Sequence, residues 1–134
     1  MIYTNSDGGA RGNPGPGAIG VLVRDEGKII TKYSAKIGKF VTNNVAEYTA
    51  LIKVLEMTSR ITDKEITCNL DSELVVKQLN GEYRVKNPKM LELFLVVQSL
   101  IKRFGKVNFK HVGREDKFQQ IVDEMLDLEL DQRD

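Results

Sequence analysis

Four acidic residues stand where a carboxylate could do chemistry. Asp7 and Asp71 each end a short predicted strand, Glu47 lies in the first turns of a predicted helix, and Asp123 lies in the last predicted helix. If the two strands are neighbours in the sheet, Asp7 and Asp71 lie side by side. Carboxylates held close together repel one another and are costly without a cation. Two hard cations about 4 Å apart are what phosphodiester hydrolysis uses, so the pattern predicts such a cluster.

Each of the four also has a purely structural interpretation. Asp7 could begin a turn before the glycines that follow it, and Glu47 could reach back to complete a helix cap. Asp71 and Ser72 are both good helix N-caps. Asp123 could be one more charge on a solvated helix face. Taken singly, most of these residues favour the structural interpretation, so the prediction depends on their convergence.

The composition limits the kind of metal site. Cys68 and His111 are the only residues of their types, so neither an internal disulfide nor a zinc site of the Cys/His type can form. Any metal must be held mainly by oxygen, which favours Mg²⁺ or Mn²⁺. No apolar run approaches the length of a membrane span. We therefore expect a cytoplasmic monomer with no membrane partner.

The charges are unevenly spread along the chain. The net charge is +1, but residues 1–115 carry 18 basic and 12 acidic side chains, whereas residues 116–134 carry 2 and 7. A mildly basic body suits a polyanionic partner. Charge alone favours an ordinary solvated surface.

The elements that must position the carboxylates follow from the hydrophobic pattern. The predicted strands are Ile2–Ser6, Ala18–Arg24, Lys28–Ile37, Glu65–Leu70 and Lys106–Val112; the predicted helices begin near Thr42, Glu73, Pro88 and Phe118. Three strands joined by short turns predict an antiparallel meander, and the later alternation predicts parallel crossovers. The order βββαβααβα therefore predicts an α/β fold with a five-stranded mixed sheet, helices on both faces and one domain over residues 1–134.

Four segments resemble the type 1 ribonuclease H family in order and spacing. They are Asp7-Gly-Gly-Ala-Arg-Gly-Asn-Pro-Gly-Pro-Gly17, Thr42-Asn-Asn-Val-Ala-Glu-Tyr48, the segment from Asp71 to Lys86, and His111-Val-Gly-Arg-Glu115. The likeness covers nearly the whole chain and is greatest to the compact bacterial and archaeal members. It implies a ribonuclease H-like fold. It also implies endonucleolytic cleavage of the RNA strand of an RNA–DNA hybrid, with two Mg²⁺ or Mn²⁺ ions and 5′-phosphate and 3′-hydroxyl products.

The resemblance also implies roles for site residues. Asp7, Glu47 and Asp71 match three of the family's metal ligands directly, with Glu47 on the side of the leaving group. Arg114 stands where many members have a histidine that assists proton transfer or product release. Asp123 would serve the ion that activates the attacking water.

The fourth carboxylate requires an adjustment of the family pattern. The usual spacing from the motif histidine lands on Ile121, which cannot bind metal. Two additional residues bring Asp123 into place, because the segment that begins at Val122 matches the family's Ala-Asp-x-Leu. Asp127 and Asp116 remain alternatives.

The resemblance also implies which residues contact the substrate. The residues matched to hybrid-binding positions are Gly12, Asn13, Thr42, Asn43, Asn44 and Ser72. Thr42 and Asn43 would form part of a phosphate pocket for the DNA strand. Val45 replaces an Arg that some members have there, and the chain has no Trp, so we expect weaker hybrid affinity.

Two other functions fit the same residues. A displaced fourth carboxylate would leave a hybrid-binding module that is catalytically impaired. A broader nuclease would also cut double-stranded RNA. Complete motifs at Asp7, Glu47 and Asp71 favour the hybrid nuclease over the binding module.

Overall fold

The computed structural model describes residues 1–132, and its elements follow the predicted order. The strands are β1 (Ile2–Ala10), β2 (Gly15–Asp25), β3 (Lys28–Val41), β4 (Glu65–Leu70) and β5 (Lys106–His111). The helices are α1 (Asn43–Ser59), α2 (Glu73–Leu79), α3 (Pro88–Ile101) and α4 (Lys117–Asp131). Within residues 1–132, no helix is long and apolar enough to span a membrane.

The strands form one mixed sheet in the order β3-β2-β1-β4-β5. The first three strands pair antiparallel, as a meander does, and β4 pairs parallel with both β1 and β5. Parallel pairing needs crossover connections. The segment with α1 carries the chain from the edge strand β3 to β4 beside β1, and the segment with α2 and α3 connects β4 to β5. The predicted five-stranded mixed sheet is confirmed.

The first strand is longer than predicted. It continues past Ser6 to Ala10, because Gly8 and Gly9 pair with β2 on one side. The parallel ladder with β4 stops earlier, at Ser6 and Leu70. Much of the glycine-rich stretch is therefore strand, and the loop that joins β1 to β2 is short.

Helices cover both faces of the sheet. On one face α1 packs against β1 and β2, and α3 packs against α1. The buried side chains of α1 include Tyr48, Leu51 and Leu55. Burying such a side chain contributes about 1.5–3 kcal/mol to the stability of the fold. On the other face α4 packs across β1, β2 and β3. The predicted arrangement of helices on both faces is confirmed.

The buried face of α4 differs from the apolar face predicted for it. Apolar periodicity predicts a core face made of Phe118, Ile121, Val122, Met125 and Leu128. Of these, Leu128 is 59% exposed. The buried residues are Gln119, Val122 and Leu126. Apolar periodicity misplaces this face, because it cannot detect a buried glutamine whose amide is hydrogen-bonded.

Candidate active site

Asp7 and Asp71 meet at the end of the parallel ladder. Ser6 and Leu70 are the last paired residues of β1 and β4, so the next residue of each chain segment is an aspartate. Asp7 is 4% exposed and Asp71 is half-buried. The predicted adjacency of these two carboxylates is what the structure shows.

Glu47 lies close to Asp7 and Asp71 because α1 packs directly against β1. A Cβ built on Gly8 would lie 2.1 Å from the carbonyl oxygen of Ala46, so only glycine permits this approach. Residues alternate along β1 and place Asp7 on the opposite face from Gly8. Since β4 has ended at Leu70, no strand separates the two faces beside Asp7, and Glu47 joins the cluster there.

The three carboxylates form a tight cluster. Asp7, Glu47 and Asp71 each offer an oxygen within 4.8 Å of the others. Burial, with the charge of Asp71 added, raises the pKa of Asp7 to about 8. Burial and the charge of Asp7 raise the pKa of Glu47 well above its ordinary value. Burial also raises the pKa of Asp71. Such shifts mark a site whose negative charge is uncompensated.

A divalent cation fits this site. The Glu47 Oε2 atom is buried and has no hydrogen-bond partner among residues 1–132, and a buried orphan acceptor is costly. Three carboxylate oxygens are the ligands that Mg²⁺ and Mn²⁺ prefer. The cluster therefore has the donors, the proximity and the unsatisfied atom that a hard cation would use.

Asp123 lies beside this cluster but is exposed on α4. Its charge raises the pKa values of Asp7 and Asp71. A cleft of about 230 Å³ is lined by Asp71, Arg114, Gln119, Gln120 and Asp123. The structure thus brings Asp123 and Arg114 together next to Asp71, and their catalytic roles remain predictions.

The two alternative carboxylates are placed differently. Asp116 is the N-cap of α4, and its Oδ1 accepts hydrogen bonds from the backbone N–H groups of Phe118 and Gln119 at 3.0 and 2.9 Å. Asp127 lies one turn beyond Asp123. The pKa of Asp127 is raised by its partial burial and by the charge of Asp123. The carboxylate of Asp116 is thus occupied in capping α4, whereas that of Asp127 lies near Asp123.

The capping role considered for Glu47 is wrong, and of the two N-cap candidates Asp71 and Ser72 the structure uses Ser72. The N-cap of α1 is Thr42, whose Oγ1 accepts from the Val45 N–H at 3.2 Å. The N-cap of α2 is Ser72, whose Oγ accepts from the Val75 N–H at 3.3 Å. Neither acidic residue is needed to begin its helix, which leaves both carboxylates for the cluster.

The residues matched to hybrid-binding positions, apart from Ser72, lie in two segments that contact each other. Asn13 Oδ1 accepts from the Asn43 N–H at 3.0 Å, and Asn43 Oδ1 accepts from the Ala10 N–H at 2.9 Å. These bonds tie the β1–β2 loop to the start of α1. Gly12 is exposed with φ +92°, and Asn44 is half-buried. The structure therefore joins the two motifs, while contact with a substrate stays a prediction.

A groove of about 460 Å³ continues from these two segments. Its lining includes Phe40, Thr42, Val45, Asn87 and Lys89. Phe40 is 81% exposed. Lys89 belongs to α3, so a cation from another helix lines the groove where Val45 replaces the family's Arg.

Two further residues lie near the carboxylates: His111, which the motif analysis found without assigning it a role, and Gln119, which it missed. His111 Nε2 lies 3.2 Å from the Asp71 carbonyl oxygen. Gln119 is 2% exposed and lines the cleft with Asp123. Counting back four residues from Asp123 to a polar residue on the same helix face is the one signal that points to Gln119.

The fourth carboxylate can be identified by substitution. We expect Asp123→Ala to lower activity at least about tenfold, because it removes a proposed metal ligand. We expect Asp116→Asn to change activity less than about twofold, because Asn caps a helix as well as Asp does. Initial rates under saturating metal measure both. A large loss in Asp127→Asn, with Asp123→Ala unaffected, would move the role to Asp127.

Comparison with known proteins agrees with this geometry. The family model described as reverse transcriptase-like matches residues 5–119. A bifunctional protein of Mycobacterium tuberculosis is 37% identical over 115 residues, which is 84% of this chain and 31% of that protein. Its N-terminal RNase H domain, solved as a fusion with maltose-binding protein, superposes with a TM-score of 0.90 at 34% identity, over 97% of this chain and 93% of that one.

Two further relatives are similar over nearly the whole chain. Ribonuclease HI of Halobacterium salinarum is 36% identical over 129 residues, which is 94% of this chain and 64% of that protein. Its crystal structure superposes with a TM-score of 0.89 at 31% identity over 97% of both chains. LC11-RNase H1, solved in complex with an RNA/DNA hybrid, has a TM-score of 0.85 at 39% identity, over 97% of this chain and 99% of that one.

The first curated relatives are much longer proteins, of which this chain spans 31%. The family assignment does not depend on that difference, because the family model covers most of the chain and the solved RNase H domains match it almost end to end. The carboxylate cluster, the sheet order and these likenesses lead to the same conclusion: the chain belongs to the type 1 ribonuclease H family.

Proposed function

We propose that this protein is an endonuclease that hydrolyses the RNA strand of RNA–DNA hybrids and leaves 5′-phosphate and 3′-hydroxyl ends. The observation that carries the proposal is the cluster of Asp7, Glu47 and Asp71, with oxygens within 4.8 Å of one another. The hybrid bound in the structure of LC11-RNase H1 supports the choice of substrate. Family membership supports the reaction.

The proposed cofactor is a pair of Mg²⁺ or Mn²⁺ ions. When bound, such ions polarise the scissile phosphate and activate a water. Asp7, Glu47 and Asp71 would hold them, and Asp123 would be the fourth ligand from α4. Arg114 faces the same cleft, and its guanidinium is always positive. It stabilises negative charge on the phosphate and assists the departure of the product.

The proposed hybrid surface begins at the loop between β1 and β2. Gly12, Asn13, Asn43 and Asn44 contact the shallow minor groove, where 2′-hydroxyls distinguish RNA from DNA. Ser72 contributes beside Asp71. The DNA strand lies along the groove lined by Thr42 and Lys89. Phosphate contacts position a nucleic acid without reading its sequence.

Lys89 tests the position of the DNA strand. We expect Lys89→Ala to raise the KM for a hybrid about threefold and to reduce the salt dependence of binding, because one phosphate contact is lost. The kcat should be nearly unchanged. Lys64→Ala is the matched control, since Lys64 is exposed in the turn before β4, at the opposite end of that strand from Asp71. Equal effects of the two substitutions would contradict the proposed path.

The activity is tested with duplexes labelled on the RNA strand. Pure protein with Mg²⁺ or Mn²⁺ should cut the hybrid, and the products should accept ligation at a 5′-phosphate. Double-stranded RNA in the same assay distinguishes a broader nuclease. Hybrid binding without cleavage in either metal would favour the binding module and overturn the proposal.

The quaternary and cellular expectations are proposals as well. We infer a single catalytic domain that acts as a cytoplasmic monomer. Light scattering of the purified protein measures the mass in solution, and a mass of twice 15.1 kDa would contradict the monomer.

A further inference from the structure

A buried glutamine lies at the start of α4 with both ends of its amide engaged. Gln119 is 2% exposed. Its Nε2 donates to the backbone oxygen of Ser6 at 2.8 Å, and its Oε1 accepts from Asn5 Nδ2 at 3.1 Å. The hydrogen bonds and the burial together hold this side chain in place. It joins α4 to β1 immediately before Asp7.

An arginine fixes the direction of these hydrogen bonds. Arg24 Nε donates to Asn5 Oδ1 at 3.1 Å, and a guanidinium can only donate. Asn5 must therefore present its NH₂ to Gln119, which must in turn present its own NH₂ to Ser6. The Arg24 guanidinium stacks on the rings of Tyr3 and Phe118, 4.6 and 4.0 Å from their centroids. The network thus has one arrangement.

A second contact, one turn further along α4, packs the helix against β2. A Cβ built on Gly20 would lie 2.3 Å from the carbonyl oxygen of Val122, so β2 allows the helix backbone to approach closely only at glycine. Gly20 is the antiparallel partner of Asp7. The residue after Val122 is Asp123, four positions beyond Gln119 and so on the same side of the helix.

We propose that Gln119 is a positioning residue for Asp123. Its amide, aligned by Asn5 and Arg24, sets the distance between the first turn of α4 and β1, and thereby holds the Asp123 carboxylate beside Asp7. The inference deepens the proposed function, since it assumes that Asp123 is a metal ligand. Partners that orient metal ligands typically change metal affinity or activity by about 10- to 100-fold when they are removed.

The test uses Gln119→Met, which keeps the length of the side chain and removes its hydrogen bonds. We expect kcat to fall about tenfold with an unchanged KM for the hybrid, and the affinity of the free protein for Mn²⁺, measured by calorimetry, to fall by a similar factor. Val97→Ala is the control, because Val97 is fully buried in α3 and its loss destabilises the protein without touching α4.

A double-mutant cycle separates positioning from general stability. In an Asp123→Ala background, Gln119→Met should have little further effect on kcat or on Mn²⁺ affinity. Equal effects in both backgrounds, or a loss of thermal stability alone, would overturn the inference. If Gln119→Met fails to fold by circular dichroism, Gln119→Asn replaces it, with a smaller effect of the same sign expected.

The same measurements distinguish the two levels of the proposal. Wild-type protein that binds Mn²⁺ but cuts no hybrid would refute the proposed function while the calorimetric cycle still tests Gln119. Wild-type protein that cuts hybrid, with a Gln119→Met variant that matches it in kcat and Mn²⁺ affinity, would refute the positioning role alone.

Discussion

Replacing Asp7 by Asn is expected to lower the rate of hybrid cleavage on the order of 10³-fold or more, because the variant loses a carboxylate at the centre of the proposed metal site. Asp7 interacts with Glu47, Asp71 and Asp123, so it is the carboxylate that connects the other three. The folded structure should survive, since Asn has nearly the same shape. Single-turnover rates with saturating Mg²⁺ and with saturating Mn²⁺ measure the loss.

The control for this substitution is Asp63→Asn. Asp63 is exposed just before β4, at the end of that strand opposite the cluster, so its charge should not affect cleavage. Asp71→Asn should match Asp7→Asn within about tenfold, because both residues follow the last pair of the parallel ladder. Retention of a tenth or more of the wild-type rate in Asp7→Asn would contradict the proposed role of the cluster.

The second large effect is on stability without metal. With a chelator present, Asp7→Asn should raise the free energy of unfolding on the order of 2 kcal/mol at pH 8, because the native carboxylate is forced into a buried, negatively charged site. Added Mg²⁺ or Mn²⁺ should stabilise the wild type by binding the native state, and should stabilise the variant much less.

The pH dependence follows from the raised pKa. Asp7 has a pKa of about 8 in the folded protein against an ordinary value of 3.8. Between these values the folded state keeps a proton that the unfolded state has lost, so the stability of the metal-free wild type falls as pH rises. The loss is complete above about pH 8, and below pH 3.8 this group has no effect. Asp7→Asn should flatten this fall.

Thermal unfolding in chelator, from pH 5 to pH 9, measures both curves. The difference between Asp7→Asn and wild type should grow with pH and then level off near pH 8. A difference that is constant over the range would mean that Asp7 does not titrate there. A destabilised variant at pH 8 would mean that the carboxylate is compensated in the folded protein.

Local motifs were enough to identify most of the cluster from sequence. Asp7, Glu47 and Asp71 each lie inside a short segment whose family pattern is intact, and a short predicted strand precedes each aspartate. The element order predicts the mixed sheet, since connection lengths limit which strands can pair parallel. These features are encoded within a few residues of one another, so pattern analysis finds them.

Other features depend on contacts between distant parts of the chain. Gln119 is buried because its amide bonds to Asn5, 114 residues away. Its spacing from Asp123 places the two residues on the same side of α4, but does not predict that Gln119 is buried. The close approaches of helix backbone to Gly8 and Gly20 also join segments that are far apart in the sequence. A glycine in a strand shows that the backbone is permissive, but not which helix will lie against it.

The sequence by itself therefore determined the fold class, the family and three carboxylates that can bind metal. Tertiary structure decided that Asp116 caps α4 while Asp123 faces Asp71 across a cleft. The reason is physical. A helix begins where a capping residue satisfies its first N–H groups, and its orientation about its own axis depends on which buried polar groups find hydrogen-bond partners. Both conditions depend on the surface beneath the helix, which only the folded sheet provides.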